Sequence, residues 1–505
     1  MKITSHLFSL SKNKDSLIAA LVGFFLIQLF AKHSGIGVSP DSVTYIAATR
    51  HMLSGNGFKS FDFFPVVDFP FAYPFFLTVI SFITRMDPVQ FGAILNGFLF
   101  GTLLYISGGI MNGFQKSSPW YKRILLLCIV FSPALQEVYT MIWSETLFLL
   151  LILLFIVSIT RYLEQSAFRW LLVSAVICAL VCLTRYAGIF LWLTGCSIIF
   201  FNKKVNWRKR ITHCFIFGVI SITLLLANIL RNLWTTGLAT GIRPKSDAGL
   251  LKIMEYFGGV LCDWLLINRS SVLSVVLTLI VLLIFTANVI FNRVKKNGAA
   301  IEYVIALTGL IYCGFMLFTY SITRYEQFTS RLLSPVYIPL LWMLSCRIPG
   351  FLSQTSYRMK WLIGIPVFLL AAGFLNIELA SDWEFYDGVK DAGIPGYRED
   401  PFTQSDIVQY LEKNKAALDP GIPIYSNAGD AVYFTTGLPA RQLPFLDFPD
   451  QVNRYYSGNN RQQPEYLVWF QNEENLQMPA LDTILKHKNL LLVQKLADGS
   501  VYRTR

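Results

Sequence analysis

Residues 34–85 have the sequence SGIGVSPDSVTYIAATRHMLSGNGFKSFDFFPVVDFPFAYPFFLTVISFITR and follow a first apolar segment at residues 17–30. The stretch is too polar at its start to lie in lipid, yet it carries far more aromatic side chains than an ordinary connector. Ser39-Pro40-Asp41 predicts a helix start at which Ser39 or Asp41 caps the first turn, and Gly55-Asn56-Gly57 predicts the helix end. We interpret residues 34–87 as a loop on the membrane surface that the rest of the chain positions.

This loop predicts two surface helices. In the first, apolar residues recur at helical spacing, and the polar face carries Thr44, Thr49, Arg50 and His51. An amphipathic helix that follows a membrane span is expected to lie in the interface plane. The second apolar run, residues 70–83, is short for a span of about 20 residues and is typical of an interfacial or re-entrant helix.

The composition indicates a polytopic α-helical membrane protein. Of the 505 residues, 54% are hydrophobic and 15% are charged, whereas a soluble domain has about 25% charged residues. Apolar runs of near-span length recur over the first three quarters of the chain, and helices satisfy every backbone polar group in lipid. We predict about eleven spans, at residues 16–33, 88–112, 123–136, 143–160, 170–184, 186–201, 211–230, 271–292, 299–320, 332–347 and 361–380.

The distribution of charge predicts the orientation. The net charge of +12 does not indicate nucleic acid binding, because the basic residues lie in short loops between apolar runs. Threading the spans alternately puts these loops on one side, together with Lys2, Lys12 and Lys14, and the positive-inside rule makes that side cytoplasmic. We therefore expect a multi-pass protein of the plasma membrane (the cell inner membrane) with a cytoplasmic N-terminus and an extracytoplasmic C-terminus.

The composition changes near Ser381, where acidic residues become common and apolar runs shrink to strand length. Residues 400–418 predict a helix, and Asp498-Gly499 predicts a hairpin turn before Val501-Tyr502. Strands are predicted at residues 422–425, 466–470 and 490–494. We therefore predict a transmembrane domain at residues 1–380 and a small extracytoplasmic α/β domain at residues 381–505.

Asp41 is the first candidate for chemistry. A carboxylate at the membrane surface can accept a proton from an attacking hydroxyl or amine. The alternative is a structural role in capping the helix, where the anion is stabilised. Asp62 and Asp68 lie in the same loop and are either alternative bases or ordinary solvated acids.

Charged residues at the predicted outer ends of the spans form a second group of candidates. Glu145 opens a span, where it faces water or a protein cavity or simply complements the helix dipole. Arg185 lies in a short outer turn, where a guanidinium can bind a phosphate or extend to lipid headgroups. Further cations on this face are Arg231, Arg243, Lys245, Arg324 and Arg331. Together they suit a diphosphate, a phosphodiester or an anionic lipid.

The sequence carries no motif for a soluble cofactor. No Walker loop, dinucleotide fingerprint or metal-ligand cluster is visible, and the eight cysteines show neither zinc spacing nor a disulfide framework. An outward-facing enzyme has no cytosolic supply of nucleotide sugars, so it would need a donor already carried across the membrane on a lipid. We expect no cofactor, and the sequence leaves a divalent metal open.

Several short segments, spread over nearly the whole chain, have the residues and the order of known family motifs: Pro40–Tyr45, Leu53–Gly57, Phe69–Pro74, Ser144–Phe148, Leu183–Gly188, Arg331–Tyr337 and Asn427–Tyr433. Together they resemble GT-C glycosyltransferases, in particular the bacterial relatives of the protein O-mannosyltransferases and the lipid A aminoarabinose transferase. Phe69–Pro74 is similar to the family's Pro-Pro-Leu-Tyr-Pro element, with Phe71-Ala72 as a departure.

The resemblance implies an inverting transfer of a sugar from a polyprenyl-phosphate-linked donor on the outer face of the membrane, in glycosylation of the cell envelope. Asp41 matches the family's catalytic acid, which acts as base on the acceptor. Many relatives have Asp-Glu where this chain has Asp41-Ser42, which weakens the case for paired carboxylates or a metal. By position, the donor phosphate would face Arg185, Arg331 and Arg243. Further site candidates are Tyr45, Asp68, Glu145 and Tyr186.

Three other interpretations stay open. A transporter or lipid flippase would need charged residues deep within spans or a broken-helix repeat, whereas the charges here cluster at span ends. A polysaccharide polymerase or ligase would also use outer-loop arginines but would not need the region around Asp41. A sensor or assembly protein would bind a partner through its C-terminal tail.

Overall fold

The computed structural model describes residues 13–116, 118–294, 299–324, 328–419, 421–457, 464–473 and 475–504. Lys2 and Lys12, which the orientation argument uses, lie outside these ranges. The described residues are mainly helical. The helices are α1 Lys14–Phe30, α2 Pro40–Leu53, α3 Ala72–Thr84, α4 Pro88–Met111, α5 Pro119–Val130, α6 Pro133–Tyr139, α7 Glu145–Gln165, α8 Phe168–Thr184, α9 Ile189–Phe200, α10 Trp207–Thr236, α11 Leu250–Trp264, α12 Ser271–Val294, α13 Ala300–Ile322, α14 Ser330–Ser345, α15 Ile348–Gln354, α16 Tyr357–Ala392, α17 Asp400–Thr403, α18 Asp406–Asn414, α19 Gly429–Thr436, α20 Pro449–Ser457 and α21 Leu481–His487.

The chain is a multi-pass membrane protein. Within the described ranges, seven helices are long and apolar enough to cross a membrane: α4, α7, α10, α12, α13, α14 together with α15, and α16. Only 6% of the most apolar segment of α16 is buried, as expected of a helix covered by lipid rather than protein. The other predicted spans fall on the shorter helices α1, α5, α8 and α9. The count of about eleven spans and the orientation stay predictions.

Helix α2 begins where the sequence predicts, and Ser39 is its cap. The Ser39 hydroxyl accepts from the backbone N–H of Ser42 at 3.4 Å, while the Ser42 hydroxyl accepts from the backbone N–H of Ser39 at 3.1 Å. Gly55 and Gly57 follow the helix with φ of 78° and 82°, the left-handed conformation that ends helices. Since capping falls to Ser39, Asp41 in the first turn is not needed for it.

The polar side of α2 differs from the predicted surface helix. Thr49 and His51 are buried, because protein rather than water surrounds this face. The Thr49 hydroxyl donates to the carbonyl of Pro74, and Arg50 Nε lies 2.8 Å from Asp87 Oδ2. The second apolar run forms α3, a helix of 13 residues, which is too short to cross a bilayer, in keeping with the prediction.

The predicted outer loop at residues 231–270 has more structure than the sequence indicates. Helix α10 continues to Thr236, and α11 occupies Leu250–Trp264. The segment between them pairs with the chain after α13, because the Arg324 N–H donates to Pro244 O and the Ser246 N–H donates to Ile322 O. These bonds fix the backbone next to Arg243 and Lys245.

Five strands form one mixed sheet in the C-terminal part of the chain. The order is β2-β1-β3-β5-β4, with β1 parallel to both neighbours and β5 antiparallel to β3 and β4. The strands are β1 Ile424–Ser426, β2 Ala440–Gln442, β3 Tyr466–Phe470, β4 Leu490–Lys495 and β5 Gly499–Thr504. All five residues of β3 are buried, as in a central strand covered on both faces.

The prediction of one helix over residues 400–418 is wrong in one respect, because two helices, α17 and α18, occupy this segment. Ser405 caps a new helix, and its hydroxyl accepts from the Val408 N–H. The strands lie close to where the sequence predicts them. The division of the chain at residue 380 and the placement of the C-terminal region outside the membrane stay predictions.

The chain folds into two compact units, and each combines segments that are distant in sequence. The first unit contains the residues up to Phe30, Val67–Tyr73 and Ala93–Asp387. The second contains Ala31–Val66, Pro74–Gly92 and the residues from Gly388 onward, which include the sheet.

The buried strand β3 provides a test of the sheet. Leu467 is fully buried between strands and packs in a core with Trp469 and Ile484, so Leu467→Ala should lower the free energy of unfolding by about 2–5 kcal/mol. Leu491, on the edge strand β4, is 45% exposed, and Leu491→Ala is the matched control with a much smaller effect. Thermal unfolding of the purified chain in detergent measures both, and equal losses would contradict this sheet.

Candidate functional site

The predicted site residues fall into two sets, one in each compact unit, and each set is described by itself. The first unit contains Glu145, Arg185 and Arg331, with Tyr186, Asp68 and Arg243 on neighbouring segments. The second unit contains Asp41 and Tyr45 on α2.

Glu145 is the centre of the first set. It is the first residue of α7, and its carboxylate is buried. Arg185, which follows α8, places Nη1 at 2.5 Å from Glu145 Oε1. Arg331, in the first turn of α14, donates from Nε to the same oxygen and from Nη2 to Oε2 at 3.4 Å. One carboxylate therefore holds two arginines that are 146 residues apart in the sequence (331 minus 185).

Ser144 and Trp143, which precede Glu145, also contact the two guanidinium groups and restrict their positions. The Ser144 hydroxyl accepts from Arg185 Nη1 at 2.9 Å and donates to Glu145 Oε2 at 3.2 Å. The Arg331 guanidinium lies over the Trp143 ring, 4.1 Å from its centroid, a distance typical of a cation–π interaction. The loop that carries these residues is anchored by Asn96, whose amide donates to the carbonyls of Tyr139 and Met141.

This arrangement suits an anion. Two guanidinium groups and one carboxylate leave a formal charge of +1, and several contacts hold the guanidinium groups in place. Arg185 and Arg331 keep 19% and 17% of their side-chain surface exposed, whereas Glu145 keeps 2%. The arginines thus keep part of their surface accessible while the carboxylate is almost fully covered, and guanidinium groups are suited to phosphate oxygens.

Glu137 is a further acid near this cluster, on the short helix α6 outside the candidate spans. Burial raises the pKa of its carboxyl to about 7, the charge of Arg331 opposes the shift, and the charge of Glu145 adds to it. The carboxyl is therefore neutral below about pH 7 and negative above. Its ionisation reduces the positive potential around the arginines.

The structure brings three other candidates together beside Arg185. The Tyr186 hydroxyl donates to the carbonyl of Val67 at 2.8 Å, and Asp68 and Arg243 lie near enough to act on it electrostatically. A Cβ atom on Gly241 would lie 1.4 Å from Asp68 Oδ1, so any larger residue at position 241 would displace the carboxylate from this position. Segments 67–73 and 239–243 thus meet at Tyr186.

Asn228 and Asn232 of α10 complete this group of residues. Their side-chain amides donate to the Tyr186 hydroxyl at 3.3 and 3.0 Å. Asn232 also donates to the carbonyl of Ala239, which positions the chain that leads to Arg243. Neither asparagine stands out in the sequence, because Asn228 lies inside an apolar run and Asn232 follows just after its end.

In the second unit, Asp41 lies in the first turn of α2, one helical turn before Tyr45, which is buried on the same side of the helix. Helix α19 packs against α2 and brings Asp430 toward Asp41. Burial raises the pKa of Asp430, hydrogen bonds from the Tyr397 hydroxyl and nearby backbone oppose the shift, and the charge of Asp41 raises it further. The Tyr397 hydroxyl lies 2.7 Å from Asp430 Oδ2.

Asp430 supplies a second carboxyl near Asp41. The sequence lacks an acid directly after Asp41, since residue 42 is serine, and the fold brings one from a distant position instead. Asp430 lies in the Asn427–Tyr433 motif, so a signal for it was present, but nothing in the sequence indicated which element it would meet.

Other sequence candidates have ordinary structural roles. Asp62 Oδ1 accepts from the backbone N–H of Phe64, which is an exposed turn interaction. Arg231 donates to Asn232 Oδ1 on its own helix. Arg324 contributes its backbone to the pairing with Pro244.

Similar solved structures identify the fold. One is ArnT, a lipid A aminoarabinose transferase from Cupriavidus metallidurans, solved with bound undecaprenyl phosphate, with a TM-score of 0.60 and 14% identity over 96% of each chain. Another is the arabinofuranosyltransferase AftD from Mycobacteria, with a TM-score of 0.51 and 14% identity over 97% of this chain and 41% of AftD. Both are GT-C glycosyltransferases.

This chain has the GT-C fold. No protein-family model matches it, and no curated protein matches it in sequence. The likeness therefore rests on three-dimensional structure, which confirms the fold that the sequence motifs predict. In this GT-C fold, the sequence candidates Glu145, Arg185 and Arg331 form one cluster.

The buried carboxylate provides a test of that cluster. Glu145→Gln keeps the shape but leaves two neighbouring guanidinium groups without their counter-charge, so the free energy of unfolding should fall by about 3–5 kcal/mol. Asp263→Asn is the matched control, because Asp263 and Arg269 form an exposed ion pair worth less than about 1 kcal/mol. Thermal unfolding in detergent measures the difference, and equal effects would show that Glu145 does not hold the arginines.

Proposed function

We propose that this chain is a glycosyltransferase that moves a sugar from a polyprenyl-phosphate-linked donor to an acceptor on the outer face of the membrane, with inversion. The observation that carries the proposal is the pair of arginines held by Glu145 within a GT-C fold. ArnT, which shares this fold, was solved with undecaprenyl phosphate. A lipid-linked donor also fits a multi-pass membrane protein, since its tail stays in the bilayer.

The arginine pair is proposed to bind the donor phosphate. Arg185 and Arg331 would hold its oxygens and stabilise the charge that builds as the bond between the sugar carbon and the phosphate oxygen breaks. The electron pair of that bond leaves with the lipid phosphate. Arg243, beside Tyr186 and Asp68, would add positive charge to the same region of the first unit.

Asp41 is proposed as the base. It would take the proton from the acceptor hydroxyl or amine while the acceptor atom attacks the sugar carbon, and a single displacement of this kind inverts the configuration. The surroundings of Asp430 raise the pKa of its carboxyl and so favour the protonated form, which cannot accept a proton. We therefore assign the base to Asp41 and a positioning role to Asp430.

The proposal includes the setting of the reaction. The donor lipid, the bilayer and an unidentified lipid, glycan or protein acceptor are the partners, in the plasma membrane, with the N-terminus in the cytoplasm. The region from residue 381 would lie outside the membrane, where it would bind the acceptor or cover the site. No nucleic acid takes part.

The activity is tested by incubating the purified protein with a panel of polyprenyl-phosphate sugars and measuring the release of free polyprenyl phosphate. Asp41→Asn should lower kcat by about 100-fold or more, because it removes the proton acceptor without changing the shape. Arg185→Gln and Arg331→Gln should each lower kcat/KM for the donor by about 10- to 100-fold. Arg269→Gln, at an exposed ion pair, is the control and should leave the rate unchanged.

Other outcomes would decide between the alternatives. Normal release by a correctly inserted Asp41→Asn protein would exclude the transferase mechanism. If the arginine variants no longer use the donor while Asp41→Asn still does, a polymerase or ligase would be favoured. Movement of intact donor across vesicle membranes without release of lipid phosphate would favour a flippase.

Glu137 predicts a pH dependence of donor binding. The pKa of this carboxyl is raised to about 7, so it gains a negative charge as the pH rises from 6 to 8 and weakens anion binding by the arginines. KM for a phosphodiester donor, whose single charge does not titrate in this range, should therefore increase with pH. In Glu137→Gln the increase should disappear, with KM at pH 8 close to the native value at pH 6. A slope that is unchanged in the variant would contradict this role for Glu137.

A further inference from the structure

We propose that the carboxyl groups of Glu378 and Asp382, with the side-chain carbonyl of Gln136, form a binding site for a divalent cation with oxygen ligands, Mg²⁺ or Ca²⁺. The site lies within the first compact unit, and it shares no residue with the arginine cluster. It does not depend on the proposed glycosyl transfer.

The side chains come from three helices. Glu378 and Asp382 are one turn apart on α16, so they project from the same side of the helix. Gln136 of α6 donates from Nε2 to Asp382 Oδ2 at 2.6 Å. The Tyr337 hydroxyl of α14 lies within hydrogen-bond distance of both Glu378 Oε1 and the carbonyl of Cys128. The two pairs lie one turn apart on α16 and form a polar network through that helix, and all four side chains are buried.

The network is incomplete in a way that points to a cation. Glu378 Oε2, Asp382 Oδ1 and Gln136 Oε1 are buried and have no hydrogen-bond partner among the described residues. All three atoms are acceptors. The orientation of the Gln136 amide is fixed, because its nitrogen donates to both the carbonyl of Val130 and Asp382. Buried polar atoms are rarely left unsatisfied, and for ionised carboxyl groups the missing partner is a donor or a positive charge.

The charge of the site favours a divalent ion. Neither Glu378 nor Asp382 forms an ion pair with a lysine or arginine in the described ranges, and burying an unpaired carboxylate is costly. Gln136 donates to Asp382, as it would to a carboxylate. Two carboxylates and one neutral carbonyl match a hard cation of charge +2, which prefers oxygen ligands.

The types of ligand at this site explain why its residue composition does not indicate a metal ion. The described residues contain no group of three or more His, Cys, Asp or Glu side chains suited to a metal ion. Here the third ligand is an amide oxygen, and the remaining positions of a hard cation are ordinarily filled by water. A bound ion would link α6 to α16 through its ligands. Tyr337 connects α14 to the same group of residues.

The experiment uses the purified full-length protein in detergent without donor lipid, treated with EDTA and then dialysed. Adding CaCl₂ or MgCl₂ should raise the midpoint of thermal unfolding by a few degrees, because ligand binding stabilises the folded state. Elemental analysis after gel filtration should find the ion bound in near-stoichiometric amount. Asp382→Asn and Glu378→Gln should each lose both effects.

Two controls locate the ion. Glu384→Gln removes an exposed carboxylate from the same helix and should keep the response. Asp41→Asn should also keep it, which separates this site from a metal at the proposed base. An absent response in the native protein, or a native response in both Asp382→Asn and Glu378→Gln, would overturn the proposal. If Asp382→Asn does not fold, the result for Glu378→Gln decides the proposal, because the amide oxygen of that variant can still accept a hydrogen bond from Tyr337.

Discussion

The ion cluster at Glu145 is the constraint on which the first compact unit depends. A carboxylate buried to this degree at the start of an apolar helix would be very costly alone, and two guanidinium groups offset that cost. Because Arg185 and Arg331 come from distant helices, the pairing requires α7, α8 and α14 to meet at these ends. The same contacts that stabilise the carboxylate hold two cations side by side, so a structural requirement also produces the pair to which we assign the donor phosphate.

Local signals in the sequence predicted the parts of the fold that depend on local interactions. Ser39 and Pro40 mark the start of α2, and Gly55 marks its end, because capping and positive φ are properties of a few adjacent residues. The burial of Thr49 and His51 was not predicted, since it depends on which segments pack against α2. A helical pattern shows which residues share a face, but not what covers that face.

For the candidate site, too, the sequence indicated which residues take part but not how they are arranged. Glu145, Arg185 and Arg331 were selected on separate grounds, as an acid and two cations at predicted span ends, and the sequence did not indicate that one carboxylate holds both arginines. Asp430 and Asp41 are 389 positions apart (430 minus 41), and only the packing of α19 on α2 brings them near each other. Contacts of this range follow from the topology, which single-sequence patterns do not determine.

The charge of the Glu145 cluster has a consequence for the proposed reaction. A sugar-phosphate diester donor carries one negative charge on its phosphate, whereas the departing lipid monophosphate gains a second as the bond to the sugar breaks. A fixed site of formal charge +1 therefore interacts more strongly with the leaving group than with the donor, and only such a difference lowers the barrier. An arginine pair without Glu145 would bind the donor more tightly, but much of that gain would apply equally before and after bond cleavage. The buried carboxylate thus limits binding of the donor while keeping both guanidinium groups in place for the charge that develops.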